Sequence, residues 1–346
     1  MSSFDPATFP QSDGTSVLRY RDGLYAVDLL GAAIVEFDFF NWLAARESTT
    51  EAEICEHFGF AARPVDVMIT LFAANGYVER RGEQLLATQT AREFLVEGSP
   101  WFMKPYYDSL SDRPVLKDFI TVLKTGKPAN WGSSESEKED WHDAMERDDF
   151  AEMFTAAMDC RGLLLGQALA KKLDLSGRTR VLDIGGGSGI YACVLAELNP
   201  GLKATVLEKV PVDGIARRAI EKRGCSASVD VAIADMFVDP LPDADVHLWS
   251  NVLHDWDVPE VEQLLARSAE ELPPGGLIVI HEALINREKT GPLAEAEYSA
   301  LLMNVTQGKC YSVSEYEKIL MGLGFEQPTH QDTIADRGVM TAVKRG

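Results

Sequence analysis

Cysteine is scarce in this chain of 346 residues. Cys55, Cys160, Cys193, Cys225 and Cys310 stand far apart and form no C-x-x-C pair, which excludes a disulfide framework and a thiolate zinc site and suits a reducing cytoplasm. Basic residues are short as well. Lys and Arg number 33 against 54 Asp and Glu, a formal net charge of -21, so binding to a phosphate backbone or an anionic membrane is excluded as a main task. No apolar run reaches the ~18 residues of a membrane span, and Met1 to Asp13 lacks the charged-then-apolar pattern of an export signal. A composition 46% apolar and 25% charged is that of a folded globular chain with a sizeable core.

The stretch around which the rest is organised is Arg180-Val181-Leu182-Asp183-Ile184-Gly185-Gly186-Gly187-Ser188-Gly189-Ile190-Tyr191. An apolar run ends in an acid, breaks into glycines and opens into a helical pattern through Ala192, Val194, Leu195 and Leu198. That is strand, tight loop, helix, and it offers backbone amides and a helix start to a nucleotide-like ligand. Two ligand classes use such loops. Gly187-Ser188-Gly189-Ile190-Tyr191-Ala192 fits the G-x-G-x-x-G/A pattern of dinucleotide folds, with Glu208 as the ribose acid. Asp183-x-Gly185-x-Gly187-x-Gly189 fits an S-adenosylmethionine (SAM) loop equally well.

Upstream, Phe37 to about Leu95 reads as a helical module. Aromatics load a first helix from Phe37 to Leu43; Thr50-x-x-Glu53 is a capping box for a second, ending at Gly59; a third runs Val65 to Asn75. Two short strands around Gly82 make the module a winged helix. The third helix carries no basic residue from Val65 to Asn75, so it is expected to pack against a protein partner, most simply a second copy of the chain, and not to enter DNA. Ser133 to Asp140 is a charged run read as a solvated face, and Phe150 to Leu173 a long amphipathic helix.

Downstream, strands alternate with helices: 204–208, 229–235, 246–250 and 277–282, then a final antiparallel pair from Phe325 to Val343. A doubly wound α/β sheet follows, and ligands bind at the carboxyl ends of its strands. Asp183, Glu208, Asp235, the stretch from Ser250 to Asp255, and Glu282 are therefore expected to converge on one crevice.

The ordered set of the glycine loop, Glu208, Ala234-Asp235-Met236-Phe237, Leu253-His254-Asp255-Trp256, Leu272-Pro273-Pro274-Gly275-Gly276 and His281-Glu282 closely resembles the SAM-dependent O-methyltransferases of the plant phenolic and bacterial polyketide type. The resemblance covers nearly the whole chain. It implies a winged-helix dimerisation domain over residues 1–100, a helical linker over 101–170 and a Rossmann-like catalytic domain over 171–346. It further implies that Asp183 and Ser250 belong to the SAM site, that Gly185 and Gly187 approach the methionine part, that Glu208 takes the ribose, and that Asp235 and Met236 hold the adenine with Trp256 on the same side. His254 is the implied general base and Glu282 the first of the acids that flank it, with Asp255 beside His254 in the catalytic set; the second flanking acid is missing. The acceptor, a hydroxyl of a small aromatic metabolite, is expected to enter between sheet and helical module against Phe154, Met158, Leu301, Met303, Asn304 and Cys310. Cys310 departs from the pattern, because Gly308-Lys309-Cys310-Tyr311-Ser312 has a thiol where the family commonly has a glutamate. That departure keeps carbon or nitrogen methylation open, or another use of SAM. A ligand-sensing transcription factor and a nicotinamide-dependent dehydrogenase are the readings from other classes. No metal, nucleic acid or membrane is implied.

Overall fold

Residues 4–129 and 144–346 are described in the computed structural model of the chain. The charged run from Ser133 to Asp140 and His142 lie outside them. The chain divides into two compact units: Val17–Asp140 with Leu284–Ser314, and Met1–Ser16 with Trp141–Ala283 and Glu315–Gly346.

The first unit is mainly helical. Its capping box is formed: the Glu53 N–H donates to Thr50 Oγ1 (3.3 Å) and the Thr50 N–H donates to Glu53 Oε2 (2.9 Å), which starts the helix Glu51–Phe58. The strands β1 (Val78–Arg81) and β2 (Gln84–Ala87) pair antiparallel around Gly82. The helix expected from Val65 begins earlier, spanning Ala62–Ala74, and every residue from Arg63 to Phe72 is buried. It packs against the helix Leu293–Val305 of the same unit. The expectation that this apolar helix needs a second protein is thereby corrected: a later segment of its own chain covers it. A pattern read along the sequence reports an apolar face but not which distant segment returns to it. Its one arginine is also engaged inside, the Arg63 guanidinium donating to the Gly308 (2.7 Å) and Gly126 carbonyls, so this helix presents no basic face to a groove.

The second unit holds a seven-stranded sheet of β3 (Arg180–Ile184), β4 (Lys203–Glu208), β5 (Val229–Ile233), β6 (Val246–Ser250), β7 (Leu277–Glu282), β8 (Phe325–Asp332) and β9 (Gly338–Lys344), in the order β5-β4-β3-β6-β7-β9-β8. The first five are parallel; β9 runs antiparallel to β7 and to β8. The strands β6 and β7 are buried almost end to end, as continuous apolar runs in a covered parallel sheet require. The chain winds from β3 outward to β5, then returns to place β6 on the other side of β3. A crevice opens at that reversal, at the carboxyl ends of β3 and β6. The β5 strand stops at Ile233, two residues before its expected end, because Asp235 starts a turn: its Oδ1 accepts from the Phe237 N–H (2.8 Å).

The helix Asp148–Ala170 lies directly on the helix Ile190–Leu198 that follows the glycine loop. Gly162 makes this close approach possible, since a Cβ there would stand 2.3 Å from Ile190 Cγ2.

Candidate active site

At the end of β3 the chain turns over its own carboxylate. Gly186 rests on Asp183 so closely that a Cβ would lie 2.6 Å from the carboxyl carbon. Asp183 is thus enclosed beneath the loop at 1% exposure. Burial, partly offset by the Ala192 N–H and reinforced by Glu208, pushes its carboxyl up to about 7. Gly187 sits in the left-handed region (φ +58) with open space where a side chain would go, and its N–H donates to Glu208 Oε1 (2.7 Å) at the end of β4. Burial pushes Glu208 up to about 7 as well, against the Gly187 and Lys209 amides. The loop is clamped from outside: the Ser188 hydroxyl and the Arg223 guanidinium both donate to Asp159 Oδ1, and Arg223 also donates to the Ser188 carbonyl (3.1 Å).

The next two strand ends meet through rings. Phe237 and Trp256 stand edge to face with centroids 4.6 Å apart, which joins the Asp235-Met236-Phe237 turn to the segment after β6. Met236 is half-buried at this turn and so is not a core side chain. Lys209 Nζ lies 3.3 Å from Asp235 Oδ2.

After β6 a short helical turn, Leu253–Asp255, carries His254 into the interior at 3% exposure. Glu282, at the end of β7, holds that turn: its Oε1 accepts from the Val252 (3.1 Å) and His254 (3.2 Å) amides, and its Oε2 accepts from the Tyr316 hydroxyl (2.7 Å). Carboxylates flank the imidazole on both sides, Asp255 Oδ1 at 3.7 Å from Nε2 and Glu282 Oε1 at 3.9 Å from Nδ1. Two acids near the ring are therefore present although residue 310 is a thiol. Burial, helped by the positive charges of Arg161 and Arg337, lowers the imidazole well below its usual value. Burial and Glu282 raise Asp255 well above the carboxylate range, and burial raises Glu282 to about 7 against its four hydrogen-bond donors. At neutral pH the arrangement is an uncharged base, kept from water, between acids that are reluctant to ionise.

Behind it lies a polar relay that the sequence did not announce. Ser250 Oγ is 3.3 Å from His281 Nδ1, whose Nε2 is 3.1 Å from Thr333 Oγ1. Asn251, in the left-handed region (φ 54), donates to the Tyr191 hydroxyl (3.2 Å) and to Ser250 Oγ (3.3 Å). Asn251 lay inside the stretch expected in the crevice, and Tyr191 inside the loop motif; nothing near Tyr316 in the sequence marked it. His281 is fully buried and lowered to about 3 by burial and the two arginines. Among the other described histidines His247 is buried on Ser268 (3.0 Å), and His57 stacks on Trp42 at 4.8 Å.

Phe154 and Met158 are half-buried on the helix Asp148–Ala170. The remaining expected acceptor contacts fall in the helical unit. Leu301, Met303 and Asn304 are buried on the helix Leu293–Val305, the Asn304 carbonyl accepting from the Ala129 N–H (2.7 Å). Cys310 is buried with its N–H on Ser299 Oγ (3.0 Å). Among the described residues no group of three or more His, Cys, Asp or Glu side chains is gathered so as to hold a metal ion, and no helix is long and apolar enough to cross a membrane.

Comparison with known proteins shows the family and the fold. Residues 121–326 match the O-methyltransferase domain family. The 3-hydroxy-5-methyl-1-naphthoate 3-O-methyltransferase of Streptomyces sahachiroi is 30% identical over 305 residues, 87% of this chain and 86% of that one. The L-tyrosine C(3)-methyltransferase of Streptomyces lavendulae is 28% identical over 89% of this chain and 86% of its own length. Among solved structures, an O-methyltransferase family 2 protein from Planctomyces limnophilus in complex with apigenin superposes with a TM-score of 0.89 at 29% identity, covering 99% of this chain and 100% of that one. The chain therefore belongs to the SAM-dependent O-methyltransferase family.

Proposed function

We propose that the protein methylates a hydroxyl of a small aromatic metabolite, with His254 as the general base. The observation that carries the reading is the buried His254 imidazole between Asp255 and Glu282, at the strand ends beside the glycine loop.

The residues at that loop fit SAM. Gly187 has a left-handed backbone and open space at its Cβ position, and the Glu208 carboxylate beside it is partly exposed with burial already raising its pKa, so two vicinal hydroxyls would relieve an under-solvated anion. Gly185, Gly187 and Ser250 would hold the methionine part, Glu208 the ribose, and Asp235, Met236 and Trp256 the adenine. Asp183 acts one layer below, shaping the loop through Gly186. Bound SAM supplies an electrophilic methyl group on a positive sulfur.

The chain's own task is the proton. A phenol has a pKa near ~10 and a free imidazole near ~6.5, so full transfer before methylation is uphill by about 5 kcal/mol or more. His254 therefore takes the proton as the oxygen attacks, and Glu282, once ionised, stabilises the imidazolium that forms. Burial keeps His254 unprotonated beforehand, which makes the ring available as an acceptor. Met303, Asn304 and Cys310 are assigned to the acceptor on the family resemblance, and Phe154 and Met158 on that and their half-buried face. A homodimer through the N-terminal residues belongs to the reading; Val17, Tyr20 and Leu24, exposed by 75%, 89% and 52%, support it, and sedimentation of a Tyr20→Glu variant tests it.

The deciding experiment replaces His254 by Ala. Turnover of phenolic acceptors should fall by about 10²- to 10⁴-fold while S-adenosylhomocysteine (SAH) affinity, measured calorimetrically, stays within about twofold. Full turnover in the variant sinks the assigned role. Among the relatives, one is a carbon methyltransferase; methylation at carbon that survives loss of His254 would favour that second reading.

A further inference from the structure

Arg161, in the sheet unit, has no ion pair among the described residues. Arg161 is half-buried on the helix Asp148–Ala170, beside Gly162 and hence beside the start of the helix that follows the glycine loop. Its only hydrogen bond among the described residues is to the Met158 thioether (Nη2 to Sδ, 3.0 Å), a weak acceptor. No carboxylate among the described residues stands within ion-pair distance of it. The other poorly exposed arginines of the chain are matched: Arg80 by Glu51 (2.5 Å), Arg223 by Asp159, Arg63 and Arg337 by backbone carbonyls. A half-buried guanidinium without an anion is costly unless a ligand brings one. Asp255, the acid that its charge reaches, lies beyond ion-pair distance, and burial raises it well above the carboxylate range.

The neighbours of Arg161 on the helix define what the ligand looks like. Phe154, Met158 and Arg161 follow at intervals of four and three and so share one helix face. An aromatic ring, a thioether and a cation in line suit a flat ring that ends in an anion. The same cation acts on His254, so face and base belong to one region of the unit. We propose that Arg161 seats a carboxylate of the acceptor, so that the substrate is a hydroxyaryl carboxylic acid held by its ring on Phe154 and Met158 and by its anion on Arg161. The inference rests on the methyl-transfer reading and narrows its substrate class. The planar guanidinium, with paired donors, matches a carboxylate in two parallel hydrogen bonds.

The test is calorimetric, on the full chain saturated with SAH. The probes are meta- and para-hydroxybenzoate, hydroxynaphthoate and hydroxycinnamate, each against its carboxamide. In the wild type at least one acid should bind about 10- to 100-fold more tightly than its amide, the range of a charge-assisted pair. Arg161→Gln should bring the pair within about twofold, leave the amide unchanged, and leave SAH affinity within about twofold, which also shows the variant is folded. Arg161→Lys should keep part of the preference. Acids that bind no better than amides throughout the panel overturn the proposal. So does an Arg161→Gln variant that loses SAH affinity but keeps the acid preference, because the anion is then the cofactor's own. Failure to bind SAH at all overturns the methyl-transfer reading as well, whereas SAH binding with methylation of neutral phenols alone overturns only the role of Arg161.

Discussion

Each of the two units buries carboxylates, and treats them in opposite ways. In the helical unit Asp66 accepts from Lys289 Nζ (2.9 Å) and from Lys309 Nζ, with Arg80 at 3.9 Å. Burial alone would raise its pKa, but the two lysines outweigh burial and hold it down at about 2. In the sheet unit Asp183 and Glu282 are enclosed and Glu208 is half-buried, none of them in an ion pair with a lysine or arginine among the described residues, and all three are pushed up to about 7. A carboxylate surrounded by cations fastens three chain segments together. One without cations is a charge held ready, whose ionisation depends on what enters the site.

The sharpest way to break this comparison is to remove the fastened acid. Asp66→Ala removes the carboxylate that Lys309, 5% exposed, and Lys289, 23% exposed, share, and should cost about 3–5 kcal/mol in urea unfolding. The wild-type contribution should be present above the ordinary aspartate pKa of 3.8 and fade as pH falls toward about 2, since the folded value is the lower one. A loss below about 1 kcal/mol would mean that the cluster is not a lock.

Asp183 should behave in the reverse sense. Its folded pKa of about 7 lies above the ordinary aspartate value of 3.8, so the folded chain keeps a proton that the unfolded chain releases, and stability falls as pH rises between those values. Asn at this position has no such dependence. Relative to Asp183→Asn, the wild type should lose about 4 kcal/mol between about pH 4 and about pH 8, read from chemical unfolding at a series of pH values. Parallel curves would refute the buried-acid assignment.

Glu282 tests the readiness of the sheet unit's acids in the reaction. With its carboxyl at about 7, kcat/KM should climb as pH rises through that value, because the ionised form stabilises the imidazolium. Glu282→Gln keeps acceptors for the Val252 and His254 amides and should flatten that limb, lower kcat by about 10- to 100-fold and spare SAH binding. Retention of the limb in the variant would assign it to another group. The smallest effect belongs to Tyr316→Phe. Loss of its 2.7 Å hydrogen bond removes a lowering influence on Glu282, so the limb should move to higher pH with a loss of about 3- to 10-fold in kcat at neutral pH. An unmoved limb would leave Tyr316 a packing residue.

Much of this was readable along the chain. The Asp183-to-Gly189 loop, the Thr50 to Glu53 capping box, the hairpin about Gly82 and the strands 246–250 and 277–282 stand where their residues put them, because each depends on φ preferences, caps and side-chain alternation within a few positions. The motif order that identified the family is equally a property of sequence. His254, Asp255 and Glu282 were also found in this way, as neighbours in a crevice implied by a parallel sheet. The apolar helix from Ala62 was legible as apolar, yet its cover, Leu293–Val305, was not. Nor was Tyr316, which meets Glu282 only because the chain passes through the helical unit and comes back.

What the sequence determined by itself is therefore the set of elements, their order and the chemical kinds of residue delivered to the strand ends, since these follow from interactions between near neighbours in the chain. Tertiary contacts alone set which buried acid receives cations, which is left near neutrality, that His254 stands between two carboxylates, and that Arg161 pairs with none among the described residues. Desolvation and Coulomb energy depend on everything within several ångströms of a group, and those surroundings are assembled from segments far apart in the chain.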